Sequence, residues 1–292
     1  MQGAQKSGRQ WLKDAAGEQQ MPSLRNIARV SAMEPLTSIL TFLGTRGGIV
    51  GRSRRHWRHS SLLIKHNDAR IMIDCGTDWL ARLSRVAPTA IVLTHAHPDH
   101  AQGLAKDAPC PVYASKKTLD SLKRLPIHDR REMPVRKSVM IDGVRFKAYR
   151  VQHSIRAPAV GYRVSVKGVH FFYAPDVAEL PDILNALHGI DVYIGDGATV
   201  ARSMVRKKNG RLIGHAPITV QLGWCKLAGV QRAIFTHCGS AIVRGNARVS
   251  SAAIRRLGQE QGIDARIASD GDRFSLSGGE WRGRRCRVRN PA

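Results

Sequence analysis

The chain has 292 residues, of which 42% are hydrophobic and 24% are charged, and this composition excludes a collagen, a coiled coil and a wholly disordered chain. Its 47 lysines and arginines outnumber its 22 acidic residues, and the resulting net charge of +25 favours a polyanionic partner such as nucleic acid. Arginine is far commoner than lysine, however, and an arginine-rich coding bias explains the same charge without any such partner.

The cysteines and the apolar stretches bear on the cellular compartment. The 5 cysteines are scattered and nowhere form Cys-x-x-Cys, which argues against a disulfide framework and a cysteine zinc ribbon. No stretch approaches the roughly 18 apolar residues of a membrane span. Residues 1–32 also lack the apolar stretch of a signal peptide. We therefore expect a cytoplasmic protein that does not bind membranes.

The chain is expected to contain one folded domain between two tails. Residues 1–32 are polar and without a clean period, which predicts a loose N-terminal tail, and Met33 is an alternative start of the protein. The folded domain is predicted over residues 33–279. Residues 280–292 are predicted to be a solvated basic tail, because the segment 281–290 is rich in arginine and contains no acid.

The order of the predicted elements favours an α/β fold in which helices pack outside sheets. Apolar runs and alternating patterns predict strands at 37–44, 61–65, 70–74, 90–94, 144–151, 160–166, 169–173, 191–194, 233–236, 266–268 and 273–277. The segments 61–65 and 70–74 form a predicted hairpin. Helices are predicted at 78–86, 181–187, 218–228 and 250–259.

The strongest chemical signal is the sequence THAHPDH at positions 94–100, directly after a predicted buried strand. A turn at a strand end lets neighbouring side chains converge, and imidazoles with a carboxylate suit a divalent metal such as zinc. The candidate ligands are His95, His97, Asp99 and His100. An accidental histidine cluster on a surface loop is the alternative, which the preceding strand and Pro98 disfavour.

Three further candidate ligands follow predicted strands in the same way. His153 comes after the strand at 144–151, Asp176 after 169–173 and His237 after 233–236. Strand ends on a rigid scaffold are the usual place for functional side chains. Together with the cluster at 94–100 they supply seven ligands, enough for two metal ions.

This pattern resembles the metallo-β-lactamase superfamily of dinuclear metallohydrolases over residues 37–277. The family has an Asp at a strand end, here Asp74, then His-x-His-x-Asp-His, then single His, Asp and His residues. The resemblance implies an αββα sandwich of two mixed β-sheets with helices on the outer faces. It implies that one metal is held by His95, His97 and His153, that a second is held by Asp99, His100 and His237, and that Asp176 bridges the two. The expected ions are zinc, with manganese as the alternative.

A second motif narrows the resemblance within that superfamily. Gly214-His215 lies 22 residues before His237, an arrangement similar to the cyclic phosphodiesterases of phosphonate breakdown and the tRNA 3′-processing endonucleases. The sequence at 268–271 is also similar to that group. There the Gly-His histidine lies beside the metals and assists the leaving oxygen or the phosphate. The chain departs from the group in having neither the cysteine pair of an additional zinc site nor a long flexible arm.

The resemblance assigns catalytic roles to three residues. The first is Asp99, a ligand of the second metal in this assignment, and two metals held close together can share a hydroxide that attacks the substrate. His215 is the candidate acid, and Asp74 is expected to orient a ligand imidazole. The alternatives are a helix-entry residue for His215 and a simple strand-end cap for Asp74.

Two basic segments flank the predicted site, at 46–58 and 202–211, and we interpret them as candidate phosphate-binding loops. Solvated surface is the alternative for both. The candidate substrate-binding residues are Arg54, Arg55, Arg156, Lys207 and Lys208.

The function favoured by the sequence is a phosphodiesterase, acting on a cyclic phosphodiester or, as a nuclease, on RNA or DNA. The alternatives are a thioester or lactone hydrolase, like glyoxalase II or a lactonase, and a non-catalytic nucleic-acid-binding protein. The complete ligand set argues against the last. A homodimer is a further expectation.

Overall fold

The computed structural model describes residues 38–277 and 280–284, which form seventeen strands and seven α-helices. The strands are β1 (Ile39–Gly44), β2 (Ser61–His66), β3 (Ala69–Ile73), β4 (Ala90–Leu93), β5 (Val112–Ala114), β6 (Arg130–Glu132), β7 (Ser138–Ile141), β8 (Val144–Val151), β9 (Ala159–Val166), β10 (Val169–Tyr173), β11 (Val192–Asp196), β12 (Arg206–Lys208), β13 (Arg211–Ile213), β14 (Arg232–Thr236), β15 (Asp264–Ile267), β16 (Arg273–Ser277) and β17 (Glu280–Arg284). The helices are α1 (Leu83–Val86), α2 (Pro98–Ala101), α3 (Lys116–Ser121), α4 (Ile183–Leu187), α5 (Ile218–Leu227), α6 (Ser240–Arg244) and α7 (Ala247–Gln259).

Fifteen of the strands build two large mixed sheets. The first has the order β17-β16-β1-β2-β3-β4-β5-β6, and the second has the order β15-β14-β11-β10-β9-β8-β7. Pairing is parallel from β3 to β6 and among β10, β11, β14 and β15, and it is antiparallel elsewhere. Strands β12 and β13 form a separate hairpin.

Side-chain alternation along the strands divides the hydrophobic core into three layers. On β2, Leu62 and Ile64 pack between the two sheets, whereas Leu63 faces the outer layer that contains α1. On β10, Phe171 lies between the sheets and Phe172 faces the layer of α4, α5, α6 and α7. Each sheet therefore has one face against the other sheet and one against helices, which confirms the αββα sandwich.

Two segments differ from the sequence prediction. The helix predicted at 78–86 is divided into a 3-10 turn, Thr77–Trp79, and α1, because Ala81 between them has a left-handed backbone with φ of 59°. Strand β17 pairs with β16, so residues 280–284 of the predicted basic tail belong to the first sheet. Residues 1–37 and 285–292, with the rest of both predicted tails, lie outside the described residues. The short elements β5, β6, β7, β12, β13, α2, α3 and α6 were not predicted.

The second sheet gathers the site residues at one edge. Strands β10, β11 and β14 are parallel neighbours, so their carboxyl ends meet there. Asp176 follows β10, Asp196 ends β11, and His237 follows β14. Within the described part of the chain, no helix combines the length and the apolar character that a membrane crossing requires.

Candidate metal centre

The sequence THAHPDH forms the loop after β4 and the start of α2. Pro98 is the first residue of this helix, where its fixed φ is favourable and its missing N–H costs nothing. His95 and His97 lie before the helix, while Asp99 and His100 lie within its single turn. The short helix thus brings four candidate ligands from one contiguous segment to the edge of the sheets.

Three imidazoles form the first ligand group. The Nε2 atoms of His95 and His153 lie 3.0 Å and 3.2 Å from Nδ1 of His97. Burial lowers the pKa of all three side chains, which favours the neutral imidazoles that metals bind. Their three inward nitrogens can therefore hold one ion.

The second ligand group combines carboxylates and imidazoles. His100 Nε2 lies 2.6 Å from Asp176 Oδ2, and His237 Nε2 lies 3.2 Å from Asp99 Oδ2. Asp176 Oδ2 is also 3.4 Å from His95 Nε2 of the first group. Asp176 therefore stands between the two groups.

The second group fits a divalent cation. Three of its atoms are buried and make no hydrogen bond: His100 Nε2, Asp176 Oδ1 and His237 Nδ1. Burial opposes the charged forms, but the carboxylates of Asp176, Asp196 and Asp99 raise the pKa of His237 to about 9, and the neighbouring acids also raise that of His100. The buried carboxylates thus favour positive charge at this point, which a metal ion bound to these atoms would provide.

Outer contacts hold several of these imidazoles in place. Asp74 accepts a hydrogen bond from His100 Nδ1 at 2.9 Å and is itself bonded by the Thr94 backbone N–H at 2.8 Å. His153 Nδ1 donates to the carbonyl of Gly214 at 3.1 Å. Such contacts set the orientation of a ligand ring and leave its other nitrogen free for a metal. Asp74 accordingly lies behind His100, on the side of the ring away from Asp176.

His215 contacts a buried carboxylate that sequence reasoning missed. Its Nδ1 lies 2.7 Å from Oδ2 of Asp196, which is fully buried and also accepts the backbone N–H of Val177. Burial opposes protonation, but the carboxylates of Asp196 and Asp176 raise the pKa of His215 to about 11. The position of Asp196 could have indicated it, since Asp196 ends β11, which lies between the strands that precede Asp176 and His237.

A cleft of about 780 Å³ opens over this centre. Its wall contains candidate ligands from both groups together with His215. Gly48 also lines the cleft, in the loop after β1. A Cβ atom on Gly48 would lie 2.8 Å from Oδ2 of Asp99, so a larger residue would press on that carboxylate. The centre is thus open to a substrate on one side.

The predicted substrate-binding residues lie elsewhere. All five are exposed, and none is part of the cleft wall formed by the described residues: Arg54, Arg55, Arg156, Lys207 and Lys208. Arg202 and Arg206, from the same basic segment as the two lysines, line the wall instead.

Comparisons with known proteins identify a family and relatives that this chain resembles. The family described as Beta-lactamase superfamily domain matches residues 69–238. A ribonuclease Z of Methanopyrus kandleri is 28% identical over 144 residues, covering 43% of this chain and 50% of that protein. The chain thus spans about half the length of this curated relative.

Two solved structures have the same fold. A diphosphatase of the PhnP family superposes with a TM-score of 0.64 at 19% identity, covering 81% of this chain and 97% of the other. The short form of human tRNase Z superposes with a TM-score of 0.57 at 19% identity, covering 82% of this chain and 99% of the other.

Proposed function

The chain belongs to the beta-lactamase superfamily, and we propose that it is a metal-dependent phosphodiesterase. His95, His97 and His153 would hold one ion, Asp99, His100 and His237 would hold a second, and Asp176, whose carboxylate faces both groups, would be available to both. Imidazole-rich ligand sets favour zinc, and manganese remains the alternative ion. Bound ions would lower the pKa of a coordinated water and neutralise charge that develops on the phosphoryl oxygens.

The observation that carries the proposal is the Asp196–His215 pair in the cleft. Asp196 engages Nδ1 of His215, so Nε2 is the nitrogen that can face a substrate. The carboxylates of Asp196 and Asp176 favour the protonated form of His215, and the proton it then holds can pass to the leaving oxygen of a phosphodiester. The ribonuclease Z similarity, together with the net charge of +25, supports phosphorus as the reacting centre.

Metal content tests the ligand assignment. We expect two divalent ions per chain, and Asp176→Ala should lower the occupancy of both because its carboxylate faces both ligand groups. Elemental analysis after purification without chelators measures this. One ion or none per chain, with no uptake after reconstitution, would contradict the assignment.

A substrate panel tests the reaction. Bis(p-nitrophenyl) phosphate, a 2′,3′-cyclic nucleotide and a short RNA are compared with a thioester and a lactone. Faster hydrolysis of the thioester or lactone would overturn the proposal. His215→Ala should lower kcat more for substrates with basic leaving groups than for p-nitrophenyl esters, since p-nitrophenolate leaves without a proton. An equal loss on both would remove His215 from the acid role.

A further inference from the structure

The rim of the cleft carries two arginines that the proposed mechanism does not use. Arg202 and Arg206 line the same wall as His215 and Asp176. Both side chains are exposed, and neither guanidinium has an acidic partner among the described residues. They are therefore available to an anion that enters the cleft.

The segment that carries the two arginines is fastened to the backbone of the site. Thr199 Oγ1 donates to the carbonyl of Arg202 at 2.7 Å, and the Met204 N–H donates to the carbonyl of His215 at 3.3 Å. Arg206 pairs with Ile213 across the β12–β13 hairpin. The last two contacts tie residues 204–206 to the chain around His215, and the first stabilises the turn that carries Arg202.

Gly214 explains why this segment can lie so close. Its φ is +102°, and a Cβ atom there would lie 2.1 Å from the carbonyl oxygen of Met204. Only glycine combines that backbone conformation with that approach. Gly214 also exchanges hydrogen bonds with His153, donating its N–H at 2.9 Å and accepting from Nδ1 at 3.1 Å. One glycine therefore connects a candidate metal ligand, the candidate acid and the arginine segment.

The cleft has room for more than the reacting group. Its volume of about 780 Å³ lies within the range of pockets that enclose a whole small-molecule ligand, which is roughly 300–1,000 Å³. A substrate whose scissile phosphodiester lies at the metal ligands must extend along the wall. Arg202 and Arg206 stand on that wall.

We propose that Arg202 and Arg206 bind a second phosphate of the substrate, beyond the scissile one, and thereby select substrates that carry it. Guanidinium groups bind phosphate oxygens through paired charge-assisted hydrogen bonds, so two arginines on one rim form a suitable site. This inference rests on the proposed phosphodiesterase function and names its substrate class. That class is a nucleotide or nucleic-acid strand with a neighbouring phosphate, as opposed to an isolated phosphodiester.

Matched chromogenic esters isolate the contribution of the second phosphate. The series consists of thymidine 3′-(p-nitrophenyl phosphate) with a free 5′-hydroxyl, with a 5′-phosphate and with a 5′-(methyl phosphate). A mirror series places the p-nitrophenyl ester at the 5′ position and the additional phosphate at the 3′ position. In at least one series, the wild-type KM should be about tenfold lower with the second phosphate, the size of one charged hydrogen-bonded contact.

The arginine variants should remove this advantage. Arg206→Gln and Arg202→Gln should each raise KM for the phosphate-bearing esters several-fold while leaving kcat and the unphosphorylated ester nearly unchanged. Arg211→Gln is the matched control, because it removes the same charge from the same hairpin at a position outside the cleft wall. A benefit from the methyl phosphate indicates the internal phosphate of a strand, and a benefit from the monoester alone indicates a terminal phosphate.

A binding measurement with ligands that are not turned over tests this inference separately from the proposed reaction. Calorimetry compares thymidine 3′,5′-bisphosphate with both thymidine monophosphates, and we expect the bisphosphate to bind more tightly by a margin that Arg206→Gln abolishes. Equal binding of all three, or equal losses in Arg206→Gln and Arg211→Gln, would overturn the inference. If no ester in the panel is hydrolysed but the bisphosphate preference is present and sensitive to Arg206→Gln, only the proposed reaction fails.

Discussion

The two basic segments, 46–58 and 202–211, are alike in their positive charge but differ in how they are anchored to the rest of the chain. Arg46 is only 2% exposed; its Nε donates to the Trp57 carbonyl at 3.1 Å, and its guanidinium is paired with the carboxylate of Asp78. All the charged side chains of the segment 202–211 are exposed. The first segment is therefore built around a buried cation, whereas the second presents its cations to the cleft and to solvent.

A second acid fastens the first segment from another part of the chain. Asp270 accepts hydrogen bonds from Thr45 Oγ1 at 2.7 Å and from the backbone N–H groups of Trp57 and Arg58 at 3.0 Å. An arginine-rich segment therefore has a structural role where acidic residues from elsewhere in the chain bind it, as Asp78 and Asp270 do here. Where no acidic residue binds the segment, its cations are available to an anion.

The largest effect that this difference predicts is on stability. Arg46→Met keeps the apolar stem but removes the buried one of the two guanidinium groups that pair with Asp78, and should cost roughly 3 kcal/mol of unfolding free energy. Arg52→Met is the matched control, since Arg52 contacts the same carboxylate at 2.7 Å from a 39% exposed position and should cost less than about 1 kcal/mol. Urea denaturation measures both. Equal losses would remove the distinction between a buried anchor and surface charge.

The buried part of the first segment should also make the stability of the protein depend on pH. Burial, with a smaller contribution from Arg55, lowers the pKa of His56 from 6.5 to about 4. Because the unfolded chain binds this proton more readily, stability is fully present above pH 6.5 and is lost as pH falls towards 4. The contribution is roughly 3 kcal/mol at most.

Replacing the histidine tests that dependence. His56→Asn retains a polar group beside Thr45 Oγ1 but cannot titrate, so its unfolding free energy should change less than that of the wild type between pH 7 and pH 4.5. Denaturant titrations at several pH values give this difference. Parallel stability profiles for the two proteins would show that His56 carries none of the acid sensitivity.

Substitutions in the second segment, 202–211, should have the smallest effect on folding stability. They should have the largest effect on the binding of a nucleic-acid strand. Lys207→Gln with Lys208→Gln should change stability by no more than about 0.5 kcal/mol, because both side chains are exposed. If they contact a strand backbone, the slope of log affinity against log salt should fall by roughly 0.7 per contact. Fluorescence anisotropy with labelled RNA or DNA measures the slope.

The same double exchange in the first segment completes the comparison. Arg54→Gln with Arg55→Gln should alter the salt slope less than the lysine pair does, if the first segment acts as a scaffold. Equal flattening by both pairs would show that both segments bind nucleic acid. A wild-type slope near zero would indicate a small-molecule substrate.

The predictability of the fold differs between long and short elements. Apolar runs such as β4 and the hairpin of β2 and β3 were evident because their periodicity lies within a few residues. The three-residue strands β5 and β6 are too short to show a period. The sequence also did not predict the division of the helix at Ala81. Trp79, Leu83 and Val86 are all buried, and their spacing resembles that of one continuous helix across the break.

The sequence by itself determined the candidate ligands and the order of the main strands, because a contiguous motif and an apolar period are local properties of the chain. Only the tertiary structure decided which charges act together. Asp196 meets His215 across 19 residues and Asp270 meets Thr45 across 225, while Arg46 and Asp78 pair across 32. No local pattern specifies such partners, since they are chosen by the packing of strands that are distant in the chain. The same packing places Arg202 and Arg206 at the cleft and leaves Lys207 and Lys208 outside its wall.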